Sequence, residues 1–324
     1  MNKIYDNILE IKDLFDIFIF DAYGVLYNGL DFFDHVKEVM EELIKENKKV
    51  CILSNSPQIS SSVKEKYDKC GLGKKQYTEL ITSGEFCRNL LKNNKIQFKN
   101  NKNPKKYYVF GKQNNKLFEG LNYIQVNNIN DADFIYLSAL YFSDKEYNEM
   151  NNEDKKKVVA IKKDNGINPW RAIDIDILMP KIKEIIDSKK PVLNCNPDYR
   201  ACEGLVDGST AFVLTPGSVA KVLKENDVEV VEFGKPYREI YDFVFNVLKS
   251  KGINTDKKDR ICMVGDTLRT DIKGANNAGI KSVLCLETGI TANELNNGKS
   301  LDELIKNKGA KVDYIIRGVA VNID

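Results

Sequence analysis

Four short segments of this sequence set carboxylates, a lysine and small polar side chains directly behind apolar runs. They are Phe20-Asp21-Ala22-Tyr23-Gly24-Val25-Leu26, Leu53-Ser54-Asn55-Ser56, Phe233-Gly234-Lys235-Pro236 and Val264-Gly265-Asp266-Thr267-Leu268-Arg269-Thr270-Asp271. Singly, each has an ordinary structural use. Asp21 could be a turn or cap residue, Ser54 a helix N-cap, and Lys235 a solvated surface lysine. The fourth segment is different, because two carboxylates around a tight turn suit a divalent cation better than a structural purpose. Together the set suits phosphoryl transfer. An aspartate can attack phosphorus and form an acyl phosphate, which splits one hard step into two easier ones. Attack by an anion on a phosphate dianion calls for positive charge, and a cation plus a lysine supply it. Mg²⁺ accepts a few carboxylate oxygens plus water, so Asp21 and Asp266 suffice without histidine. Ser54 and the amides after it could hold phosphate oxygens at a helix N-terminus.

These residues act together only if the fold places them at one edge. The apolar runs 16–20, 49–53, 79–82, 107–110, 134–137, 191–194, 260–264, 282–286 and 313–317 read as strands. Helical spacing fills 34–47 (Val36, Val39, Met40, Leu43, Ile44), 58–70, 84–93 and 271–278. That alternation predicts an α/β fold with a parallel sheet and crossover helices. Each of the four segments follows a strand, so all would meet at the carboxyl edge where open α/β sheets bind ligands. The run 92–105, rich in Lys, Asn and Gln, predicts a linker or solvated loop, and 142–166 predicts surface helix and loop. His35 is expected on a helix in a structural role.

Composition narrows the class. The chain has 324 residues, which suggests two domains or one with a large insertion, and 42% hydrophobic with 30% charged residues is an ordinary globular mix. Lys plus Arg number 49 against 47 Asp plus Glu, a net of +2, so no overall field favours nucleic acid or an anionic membrane. No apolar run approaches a membrane span, and the start resembles no signal peptide. The seven cysteines are scattered without a Cys-x-x-Cys pair, and Cys51, Cys262 and Cys285 lie in strand-like runs. This agrees with a reducing, cytoplasmic setting and core thiols, with no zinc site.

The order of an Asp motif, Ser-Asn, Gly-Lys-Pro and Gly-Asp-x-x-x-x-Asp resembles the haloacid dehalogenase (HAD) superfamily. It is most similar to class IIA, the NagD and 4-nitrophenylphosphatase-like group. The run Gly265 to Ala275, followed by Asn276-Asn277-Ala278-Gly279-Ile280, carries most of that resemblance. The resemblance implies a Rossmann-like core over 1–96 plus 230–324 and an inserted α/β cap over 97–229. It implies Asp21 as nucleophile and Mg²⁺ ligand, with a further metal ligand from the backbone carbonyl of Tyr23. Asp266 and Asp271 complete the metal site, Lys235 neutralises charge, and Ser54 and Asn55 bind phosphate. Asn196 and Asp198 would serve the substrate from the cap, with Tyr199 and Arg200 as contact candidates. A small phosphorylated metabolite is the implied substrate, and pairing through the cap the implied homodimer.

One position departs from the pattern. The family's phosphatases carry a second aspartate two residues after the nucleophile as general acid and base, and Tyr23 stands there instead. Losing a positioned acid/base costs ~10²–10⁴-fold in rate. A phenol of ordinary pKa ~10 is a poor base for water at neutral pH. An aromatic here also resembles a class IIA subset reading Asp-x-Trp-Gly-Val. The expectation is therefore a Mg²⁺-dependent phosphatase, with low turnover if Tyr23 cannot replace the acid. The alternative is a catalytically weak protein that binds phosphate ligands or regulates.

Overall fold

The computed structural model describes residues 3–113, 116–162 and 168–323. The chain forms two compact units, one from Met1–Ser54, Ser60–Thr82 and Gly234–Asp324, the other from Asn55–Ile59 and Ser83–Phe233.

The first unit is built on a seven-stranded sheet. Its order is Ile4–Tyr5, Tyr314–Ile316, Lys281–Cys285, Ile261–Gly265, Ile17–Phe20, Lys49–Ser54 and Glu79–Thr82. All its neighbouring pairs are parallel. The central strands are apolar on both faces because helices cover both sides, the usual reason a parallel strand reads as an unbroken hydrophobic run. Every residue of Ile17–Phe20 and of Ile261–Gly265 is buried. From Ile17–Phe20 the chain first builds outward to one side and later, from Ile261–Gly265, to the other. The order thus reverses between these two neighbours, and a crevice opens there at the carboxyl ends. Asp21 and Asp266 leave the sheet on either side of it, tied by the Asp21 N–H donating to Val264 O at 2.9 Å.

The second unit carries its own five-stranded parallel sheet, in the order Val230–Glu232, Val192–Asn194, Phe134–Leu137, Lys106–Phe110, Ile124–Gln125. Helices Met179–Ser188 and Pro216–Glu225 pack on one face through Ile182, Ile185, Val219 and Leu223. Cys87 and Leu91 of helix Ser83–Lys92 pack on the other against Phe134 and Tyr136. A hairpin, Arg200–Gly204 with Thr210–Leu214, and a three-stranded antiparallel sheet complete the unit.

Three local expectations need adjustment. The run 92–105 is not simply solvated, because Ile96 and Phe98 are each 1% exposed and anchor it in the cluster around Phe134. The stretch 142–166 supplies a strand, Val158–Ala160, besides its short helices; its last residues, 163–166, lie outside the described residues. His35 precedes its helix, Val36–Lys45, in a left-handed conformation (φ 58°) with no side-chain capping bond. The thiols match expectation: Cys51, Cys262 and Cys285 are buried in strands, and none of the seven cysteines is in a disulfide.

Candidate functional site

The site grows from three chain reversals at the carboxyl edge of the first unit's sheet and from Lys235, which does not follow a strand of that sheet as the sequence suggests but comes after Val230–Glu232, a strand of the second unit's sheet. Lys235 leads the helix Arg238–Ser250 through a cis Lys235-Pro236 bond, and its side chain is only 1% exposed. A buried ammonium needs partners, since desolvation without them costs several kcal/mol. Its Nζ donates to Asp21 Oδ1, to Leu53 O at 3.0 Å, and pairs with Asp271 Oδ1 at 2.8 Å. Lys235 is therefore no solvated surface lysine. Ser54, buried and paired in register with Thr82, ends the neighbouring strand next to the carbonyl that Lys235 grips.

Asp266 and Asp271 are held by the turn between them. After Gly265 the chain takes one wide π-type turn, Leu268–Ile272, before the helix Lys273–Ala278. Such turns often mark functional positions. Here the turn brings Asp271 back so that its Oδ2 accepts from the Thr267 N–H at 3.1 Å. A side chain on Gly265 would lie 2.1 Å from Asp271 Cβ, so only glycine permits that return. Asp266 Oδ2 accepts from the Ile290 N–H at 2.5 Å. Gly289, at φ +72°, makes room for it, since a Cβ there would sit 1.9 Å from the same oxygen.

One ligand atom each from Asp21, Asp266 and Asp271 lies within 4.8 Å of the others. Burial, followed by the Asp271 and Asp21 carboxylates, pushes Asp266 well above the usual carboxylate range, with the Ile290 N–H and Lys235 opposing. An all-oxygen cluster of three carboxylates without histidine or thiolate fits a hard divalent cation such as Mg²⁺.

The Tyr23 side chain keeps aromatic company. Its ring meets Tyr27 edge-on at 5.2 Å, and its hydroxyl accepts from Lys66 Nζ at 3.1 Å. Lys66 and Tyr67, on the helix Ser60–Lys69, escaped the sequence reading. Three lysines crowd positions 64 to 69, and nothing in that pattern tells which one turns inward.

Other expected site residues belong to the second unit. Asn55 Nδ2 donates to Asp198 Oδ1 at 3.1 Å, and Asn196 Oδ1 accepts from the Asp198 N–H at 3.2 Å. Asn194 Oδ1 accepts in turn from the Asn196 N–H at 3.0 Å, so Asn196 and Asp198 form a braced turn after the strand Val192–Asn194. Tyr199 is exposed, and Arg200 donates to Phe212 O at 3.2 Å.

Known proteins match this architecture. A model of haloacid dehalogenase-like hydrolases matches residues 18–123, and a HAD-hydrolase-like model matches 232–318. The chain belongs to the haloacid dehalogenase-like hydrolases. Phosphoglycolate phosphatase 2 of Arabidopsis thaliana is 27% identical over 302 residues, 91% of each chain. A haloacid dehalogenase-like hydrolase of Brucella suis 1330 shares the fold with a TM-score of 0.73 at 18% identity, over 97% of this chain and 99% of that one. A cardiolipin synthase / mitochondrial hydrolase fusion protein of Schizosaccharomyces pombe is 41% identical over 87 residues, 26% of this chain and 14% of that protein's length. Among the described residues, no helix is long and apolar enough to cross a membrane.

Proposed function

We propose that this HAD hydrolase is a Mg²⁺-dependent phosphatase that removes phosphate from a small metabolite through a phosphoryl-Asp21 intermediate. The observation that carries the reading is the cluster itself: three carboxylates, two of them buried, around a fully buried lysine at the sheet's switch point. A phosphatase relative matched over most of its length adds support. Asp21, Asp266 and Asp271, with the Tyr23 carbonyl, would hold the Mg²⁺, which when bound offsets charge on the phosphate.

The chain's own residues do the rest. Asp21 is the nucleophile, and its carboxylate attacks phosphorus. Lys235, fixed between Asp21 and Asp271, keeps the nucleophile oriented and offsets the negative charge that gathers as the phosphoryl group approaches. Ser54 and the amide of Asn55 bind phosphate oxygens, and Asn196 and Asp198 select the substrate. A second reading, a weakly turning-over phosphate-binding protein, draws on one observation: position 23 presents a phenol bonded to Lys66, not a carboxylate.

Hydrolysis of 4-nitrophenyl phosphate by the wild type and Asp21→Asn, with and without Mg²⁺, tests the proposal. Turnover should require Mg²⁺ and fall by at least ~10⁴-fold in Asp21→Asn, the scale of losing a nucleophile. Phosphate release that persists in Asp21→Asn would reject Asp21 as nucleophile. A silent wild type that still binds phosphate would favour the second reading.

A further inference from the structure

A second cation sits on Tyr23, two residues after Asp21 in the chain. Lys66 Nζ donates to Tyr23 Oη at 3.1 Å and lies 5.4 Å from the Tyr23 ring centre and 4.6 Å from that of Tyr27. Two π-faces and a phenol oxygen thus seat one ammonium. The next residue on the helix, Tyr67, is 1% exposed, and its buried hydroxyl has no hydrogen-bond partner among the described residues. Burial pushes that phenol well above its ordinary range, the Tyr23 oxygen adds to this, Lys66 opposes it, and the Asp21 carboxylate raises it further. One unused hydroxyl is therefore within electrostatic reach of the nucleophile, Tyr23 and Lys66.

The kind of leaving group decides what this arrangement is good for. An alkoxide has a parent acid about as weak as water and leaves slowly unless an acid protonates it. A carboxylate has a parent acid of pKa ~4 and leaves as the anion. A fixed ammonium stabilises a departing anion without giving up a proton, and does so strongly where water is scarce.

We infer that Lys66, seated by Tyr23 and Tyr27, receives the departing oxygen as an anion, so that this site takes phosphates of acidic leaving groups, acyl phosphates first, in preference to alkyl phosphates. The inference rests on the phosphatase reading above. In the first step an Asp21 oxygen bonds to phosphorus, the bond from phosphorus to the carboxyl oxygen breaks, and its electron pair leaves with the carboxylate. No proton moves. In the second step water adds to phosphorus, the Asp21 carboxylate departs, and both water protons end on the released phosphate, as H₂PO₄⁻.

The test compares kcat/KM for acetyl phosphate, 4-nitrophenyl phosphate, phenyl phosphate and glycerol phosphate in the wild type, Lys66→Met, Lys66→Arg, Tyr23→Asp and Asp21→Asn. Wild-type rates should fall steeply as the leaving group becomes less acidic. Lys66→Met should steepen the fall, with a loss of ~10²-fold or more on phenyl phosphate, the scale of removing one stabilising donor. Lys66→Arg, which keeps the charge, should restore most of it. Tyr23→Asp should raise glycerol phosphate hydrolysis selectively, by ~10²-fold or more, as a restored acid does. A wild type that cleaves glycerol phosphate as well as acetyl phosphate overturns the inference. So does a Lys66→Met variant with an unchanged leaving-group profile. In both cases an inactive Asp21→Asn leaves the phosphatase reading standing, whereas an active Asp21→Asn removes the reading and the inference with it.

Discussion

Asp21 stands between two surroundings that solve the problem of buried charge in opposite ways. On one side, Asp266 and Asp271 are 1% exposed, and Asp271 and Asp21 both pair with Lys235. On the other, Tyr23, Tyr27, Phe32 and Tyr67 form a chain of edge-on and tilted rings with Lys66 as the cation. The carboxylate side fits an added cation. The aromatic side already holds one, on ring faces and a neutral oxygen. On the proposed reading, the carboxylate flank would serve phosphate and metal, while the aromatic flank would offer fixed charge in place of proton transfer. Differences between variants of the two flanks measure how far that division holds.

The largest effect is expected at Lys235. Replacing it with Met strands the Asp21 and Asp271 carboxylates around an uncharged chain, and breaking a buried pair in this way costs about 3–5 kcal/mol. Thermal melts should show a large drop in Tm that saturating Mg²⁺ partly restores, and turnover should fall ~10²–10³-fold. A stable, active Lys235→Met protein would mean that the carboxylate flank does not depend on its lysine.

The next effect is linked to pH. Asp266 has a folded pKa raised by burial and by its carboxylate neighbours. The stability from this group is fully present below its unfolded value of ~3.9 and is lost as pH rises through the folded value. Metal-free protein should therefore lose stability over that upward window. A divalent cation binds the ionised carboxylates, so the Tm increase on adding Mg²⁺ should grow with pH, as the stabilisation approaches the ~2.7 kcal/mol of a ligand at 100 times its Kd. Melts across a pH series with and without Mg²⁺ check this, and a pH-independent increment would contradict it. The aromatic flank should contribute little to the effect, because its cation is present already.

How much of this could be read from sequence also divides along the two flanks. Asp21, Ser54 and Asp266 each follow an apolar run, and strand ends at a parallel sheet's carboxyl edge converge by topology. Lys235 follows a strand of the other sheet, so that rule does not place it, and its legibility rests on the Gly-Lys-Pro motif. Asp271 is legible from its spacing to Asp266. What brings it back, a wide turn that needs a bare Gly265, is a close approach and leaves no periodic trace. Lys66 and Tyr67 were hidden because their helix reads as Ser-Ser-Ser-Val-Lys-Glu-Lys-Tyr-Asp-Lys, polar nearly throughout, and its inward face shows only in the packing. In the second unit, two apolar residues among lysines and asparagines, Ile96 and Phe98, were enough to bury a stretch that composition assigns to solvent. Helix Ser83–Lys92 packs with that stretch, although the alternation of elements groups it with the strands before it.

The smallest effect separates ring from hydroxyl on the aromatic flank. Tyr27 is 3% exposed, and its Oη donates to Gly29 O at 2.9 Å with Leu30 O at 3.0 Å, closing the turn that follows Tyr27. Tyr27→Phe removes that bond and keeps the face over which Lys66 sits at 4.6 Å. The loss should be about 1 kcal/mol of stability, the usual net worth of one hydrogen bond. The preference among leaving groups should not move, because Tyr23 Oη and both rings still seat the ammonium. Tyr27→Leu removes the face as well and should shift that preference part of the way toward the Lys66→Met profile, since a cation–π contact at such a site is worth ~0.5–1 kcal/mol. If Tyr27→Phe alone shifted the preference as far as Lys66→Met, the flank would be a hydrogen-bonded relay through the Tyr27 hydroxyl. The contrast with the carboxylate side would then lie in which groups exchange protons, and no longer in fixed charge against exchangeable charge.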